Sequence, residues 1–170
     1  MSISNTFFRF ALAFSFFSVS FALLAEPTLE EVVVSARKVD ESVQDVPIAM
    51  SVFTSSDISD AGIERPEDFI ALTPNVVMAN TVNVGDTLVT IRGLTSTRDA
   101  ESNFAFVVDG VLQTNPNAFN RELLDIAQIE VLKGPQGALY GRNATSGAIL
   151  ITTKAPSEES ESTAVIGMGV

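Results

Sequence analysis

The side chains that usually carry out chemistry are scarce in this sequence. The 170 residues include no His and no Cys. That excludes disulfides, zinc sites built on Cys or His, thiol nucleophiles and histidine general bases. An enzyme would have to use a carboxylate pair or a Ser/Lys couple. Asp109 stands at a turn, and Asp125 and Glu130 lie five positions apart. These acids form no recognisable catalytic constellation, and hairpin chemistry and surface solvation account for them. Gly134, Gly137, Gly141 and Gly147 crowd one short stretch in the manner of a phosphate cradle. No G-x-G-x-x-G occurs there, and no Gly-Lys-Ser/Thr follows. Turns with positive φ, or close backbone packing, explain the glycines better. Arg92, beside Gly93, and Arg142, beside Gly141, stand at glycine turns, either as solvated arginines or as partners for carboxylates elsewhere.

Backbone chemistry is the other possibility. Glu26 to Val46 reads as an acidic tether with Glu26, Glu30, Glu31, Asp40, Glu41 and Asp45. Inside it sits one apolar island, Val32-Val33-Val34. Three consecutive β-branched residues favour an extended strand. Three valines cannot build a core, so nothing local is expected to hold them down. Such a segment is either an edge strand of the following domain or a ligand strand that adds to another protein's sheet.

The elements that position these residues follow in order. Residues 1–25 have one charged side chain, Arg9, then an apolar run from Phe10 to Leu24 with small residues at Ser20, Ala22 and Ala25. This three-part layout predicts a secretory signal peptide, cut after Ala22 or Ala25. Beyond residue 25 there are nine basic and 21 acidic groups, a net charge of −12. A chain so acidic repels nucleic acid. Ile48 to Val52 alternates as a strand. Ser55 or Ser56 caps a short helix that Gly62 ends, and Pro66 opens a second whose Phe69, Ile70 and Leu72 face inward. Leu88 to Arg92 is a strand, and Thr95 to Asn103 a polar loop. Phe104–Val108 and Val111–Leu112 flank Asp109-Gly110, a strong hairpin signal. Leu123 to Ala127 fits a helical turn, Ile129 to Leu132 a strand, and Ala148 to Thr153 a strand buried on both faces. The fold class is therefore α+β: a small domain with a mixed β-sheet and short helices, preceded by a flexible tether.

The run Glu130-Val131-Leu132-Lys133-Gly134-Pro135, continuing through Leu139-Tyr140-Gly141 to Gly147-Ala148-Ile149, resembles the end of the plug domain of TonB-dependent outer-membrane transporters. Val46-Pro47-Ile48 resembles the plug's first strand, and Ile91-Arg92-Gly93-Leu94 and Val108-Asp109-Gly110-Val111 its middle strands. Glu30, Glu31, Val32, Val33, Val34, Ser35 and Ala36 resemble the TonB box. The resemblance turns the valine island into a ligand strand for TonB of the inner-membrane energising complex. It implies a receptor that takes up a scarce nutrient, foremost an iron–siderophore complex, with no enzyme activity and no cofactor. It places the protein in the outer membrane, with plug and tether facing the periplasm. Arg92 and Arg142 become partners for barrel carboxylates. The extracellular ligand, a metal chelate for example, would meet plug loops such as 80–86 and 95–103.

The expected layout is then a signal at 1–25, a tether with the box at 26–46, a plug at 47–154, and at 155–170 a linker and the start of a barrel strand. A barrel of about 22 strands needs far more than the 16 residues after Lys154. The chain therefore reads as the plug portion of a longer receptor. The alternative is a free-standing periplasmic plug-like binding module without transport.

Overall fold

A computed structural model describes residues 31–35, 38–39, 41–80, 87–96 and 101–156. The expected signal at 1–25 and most of the expected barrel start at 155–170 lie outside the described residues. So do Glu30, Ala36 and positions 81–86 and 97–100 of the expected ligand loops. Val32 onward forms one compact unit. Among the described residues no helix is long and apolar enough to cross a membrane.

Five strands make the central sheet, in the order β3 (Met50–Thr54), β9 (Ile126–Lys133), β10 (Gly147–Thr153), β7 (Phe104–Val108) and β8 (Val111–Gln113). β10 pairs parallel with β7, and the other neighbours pair antiparallel, so the sheet is mixed as expected. The middle strands are apolar at consecutive positions because both of their faces are covered. Ile129, Val131, Ile149, Ile151, Phe104 and Phe106 point to one face. Leu132, Ala148, Leu150, Ala105 and Val107 point to the other.

Helices α1 (Ser55–Asp60) and α2 (Pro66–Ala71) and a three-stranded sheet cover the first face. That sheet runs β4 (Val76–Asn80), β5 (Thr87–Ile91), β6 (Leu94–Thr95). Phe119 packs edge-on against Phe69, Phe104 and Phe106, with ring centroids 5.0 to 6.4 Å apart. The second face is covered by the segment from Val32 to Ile48, with Tyr140 and Ala144.

Several local expectations need correction. Thr54, the last residue of β3, caps α1 instead of Ser55 or Ser56: its side chain accepts from the Asp57 N–H, and Asp57 bonds back to the Thr54 N–H at 2.9 Å. Leu72 follows α2 and is 53% exposed, while Phe69 and Ile70 are buried as expected. Leu123 to Ala127 forms no helical turn; Asp125 adopts φ 52° and β9 begins at Ile126. The first central strand starts at Met50, later than Val46-Pro47-Ile48 implied. The hairpin at Asp109-Gly110 holds, with φ 47° and 78° as a turn between twisted strands requires. The side chain of Asp109 also accepts from the Thr153 N–H at 2.8 Å, tying this hairpin to the end of β10.

The glycines serve turns and close packing. Gly134 and Gly141 have φ of 117° and 73°. Gly147 is different: a Cβ there would collide with the Leu132 carbonyl of the neighbouring strand.

Candidate functional site

Val33–Val34 forms a short strand, β1, paired antiparallel with β2 (Glu41–Ser42). The Val43 N–H donates to the Val32 carbonyl at 3.0 Å, and the Lys38 N–H closes the intervening turn onto the Ser35 carbonyl at 2.8 Å. Lys38 itself has φ 60°. β-Branching makes the island extended, and alternation then sends Val34 inward and Val33 outward. Val34 is 1% exposed, packed on the second face of the central sheet, whereas Val33 is 49% exposed. Burying one valine contributes about 1.5 kcal/mol. The expectation that nothing local holds the island down is therefore wrong: the sheet's second face was an apolar surface needing cover, and Val34 supplies part of it.

Two polar side chains of β9 reach the other edge of β1. Gln128 Nε2 donates to the Val33 carbonyl at 3.0 Å. Glu130 Oε1 accepts from the Ser35 N–H at 3.1 Å and from its hydroxyl at 3.3 Å. Gln128 Nε2 also lies 3.3 Å from Glu130 Oε1. Glu130 is 2% exposed, a buried acidic side chain on a largely apolar face. Nearby, Lys38 Nζ sits 5.7 Å from the centre of the Tyr140 ring. Burial, and secondarily the Glu130 carboxylate, push the Tyr140 hydroxyl up to about 12. Tyr140 belongs to α3 (Gly137–Tyr140). A cleft of about 650 Å³ opens beside this segment, bordered by Ser35, Lys38, Leu112, Tyr140 and Leu150.

Of the expected TonB-binding residues, Glu31, Val32, Val33, Val34 and Ser35 are described, and the last four lie along β1 and its flanking residues. The two expected barrel-contact arginines stand elsewhere. Arg92, at φ 51° after β5, donates its N–H to the Asn75 carbonyl at 2.9 Å. Its guanidinium lies beside Gly134, where an added Cβ would come within 3.2 Å of it. Burial first, then this neighbouring charge, lower the Lys133 ammonium below its ordinary value. Arg142 pairs with Glu101 at 3.2 Å, both side chains being more than half exposed. Gln128 and Glu130 were not singled out as a pair by the sequence, although polar residues at alternate positions of an apolar strand are a usable signal. Among the described residues no group of three or more Asp, Glu, His or Cys is placed to hold a metal ion.

The family model described as the TonB-dependent receptor plug domain matches residues 42–148. The pesticin receptor of Yersinia enterocolitica is 31% identical over 132 residues, which cover 77% of this chain and 19% of that protein. The ferrichrome outer-membrane transporter and phage receptor of Escherichia coli is 26% identical, over 74% of this chain and 17% of its own length. The solved ferric yersiniabactin uptake receptor of Yersinia pestis superposes with a TM-score of 0.60 at 30% identity, covering 66% of this chain and 18% of that one. The ferripyoverdine receptor of Pseudomonas aeruginosa shares the fold alone, with a TM-score of 0.61 at 20% identity, over 75% of this chain and 17% of that one. These relatives are receptors and transporters, not enzymes, and the chain spans about a fifth of their length.

Proposed function

Because the chain belongs to the plug-domain family of TonB-dependent outer-membrane receptors, we propose that it gates a receptor for active nutrient uptake and couples that gate to TonB through residues 30–36. The observation that carries this reading is the placement of Val33–Val34. They form an extended strand immediately before the plug, with one edge paired to β2 and the other met by side chains of β9 rather than by a backbone strand. Strand addition needs such an edge: main-chain hydrogen bonds supply affinity, and alternate side chains supply specificity.

The carried nutrient is an iron–siderophore complex. Relatives whose names specify ferric yersiniabactin and ferrichrome support that choice. Cargo binds from outside, against the plug's outer loops and the barrel. TonB, anchored in the inner membrane, takes hold of the box in the periplasm. Tension on the chain then displaces part of the plug and clears a path. A contact of about five backbone hydrogen bonds near 1 kcal/mol each is set against an association cost from about 4 kcal/mol upward. The grip is accordingly weak and reversible until valine contacts add to it.

Deleting residues 30–36 from the complete receptor tests this. External binding of radiolabelled ferric siderophore should persist, and energised accumulation in cells should stop. Undiminished accumulation at normal receptor abundance would remove the TonB-box assignment.

A further inference from the structure

β1 pairs with β2 through the alternate residues Val32 and Val34, because the Val43 N–H reaches the Val32 carbonyl and Val34 lies opposite Glu41. In a strand, backbone groups of alternate residues point the same way. The Val33 carbonyl and the Ser35 N–H therefore share the opposite edge. An added strand would answer that edge with one N–H donor and one carbonyl acceptor. Gln128 Nε2 already donates to the Val33 carbonyl, and Glu130 Oε1 already accepts from the Ser35 N–H. The two side chains stand two positions apart on β9, so they project from the same face. Their spacing matches the alternate groups they satisfy.

We propose that Gln128 and Glu130 act as a built-in substitute for the partner strand, clipping the Val33–Ser35 edge to the plug so that docking of this edge and binding of the partner are mutually exclusive. The inference rests on the reading of this segment as the TonB box. It makes the two β9 residues positioning residues for partner access: they set how often the edge is free, without touching the partner. The donor belongs on Gln128 and the acceptor on Glu130, and reversing either polarity should open the clip. In Gln128→Glu a carboxylate would face both the Val33 carbonyl and the Glu130 carboxylate. In Gln128→Ala the donor is simply lost. Glu130 is the poorer site for a test, because it is buried within the second core.

The chain has no cysteine, so one replacing the exposed Val33 carries a nitroxide label without competitors. In the full chain, that label should be immobilised with Gln128 present and mobile in Gln128→Ala and Gln128→Glu. Unlabelled chains are titrated with the purified periplasmic domain of TonB. Affinity should rise about fivefold in Gln128→Ala, the effect of one net hydrogen bond, and further in Gln128→Glu. Thermal unfolding of both variants should match the parent; if Gln128→Glu fails to fold, Gln128→Ala decides. Unchanged label mobility with unchanged affinity overturns the clip and leaves the box assignment standing. A mobile label with unchanged or weaker affinity also overturns it, because the partner then uses another edge. If neither parent nor variants bind the TonB domain, the box assignment fails and this inference with it.

Discussion

Proline substitution separates the two edges of β1. Val33 faces away from β2, and none of the hydrogen bonds described above uses its N–H. Val34 faces β2 opposite Glu41, and its side chain is buried. Val33→Pro therefore leaves β1–β2 and the Val34 packing in place while removing one donor from the outer edge. Its ring also occupies the approach of an incoming strand, and proline is poorly tolerated where a strand is paired on that side. One lost backbone hydrogen bond is about 1 kcal/mol, so affinity for the TonB periplasmic domain should fall at least about fivefold. Val34→Pro removes a donor on the β2 side and loosens the docked state by a similar amount. Its outer edge keeps every donor, so its affinity should stay level or rise. The assay is calorimetric titration of both variants beside the parent, with thermal unfolding recorded on the same samples. Equal losses in the two variants, or a larger loss in Val34→Pro, would refute the edge assignment.

Two further perturbations follow from the packing. Gly147→Ala should cost about 1–3 kcal/mol by overpacking, because its Cβ meets a backbone carbonyl held by two strand pairings; urea unfolding with a midpoint equal to the parent's would count against this. The hydroxyl of Tyr140 is raised from 10.0 to about 12 in the folded chain. A raised acid favours the folded state while protonated, so its contribution is complete below about pH 10 and is lost as pH climbs through 12. Tyr140→Phe should flatten the stability profile across that alkaline window, and an unaltered slope in pH-dependent unfolding would contradict the assignment.

Where local chemistry decides structure, the sequence was legible. Asp109-Gly110 demanded positive φ twice and became the hairpin, and the apolar run after Gly147 became the central strand. Leu123 to Ala127 was misread because four apolar residues in five suit a helix as well as an extended entry to a strand, and only pairing of β9 with β3 and β10 decides between them. β4 was missed because Val76 to Asn80 is a single short apolar run just after a helix end, and its strand character is fixed by pairing with β5. The candidate site divides the same way. β-Branching at Val32 to Val34 announced an extended strand. Its seat on the second face was invisible, because that surface is assembled from β7, β9 and β10, which lie far along the chain. Gln128 and Glu130 gain meaning only once β9 lies under β1.

The antiparallel course of β1 and β2 fixes how this part of the chain responds to force. Their closed end is the turn at Lys38, and their open end lies at Val32 and Val43. A pull applied on the N-terminal side of Val32, resisted by the domain beyond Val43, acts across the open end. The pairs then carry the load one after another, as in a zip, and each yields at the strength of a single contact. β10 sits between β9 and β7, and pulling it lengthwise would load many registered pairs at once. One continuous thread thus has a compliant leader and a stiff body, and its early extension can be spent before the central sheet bears any strain.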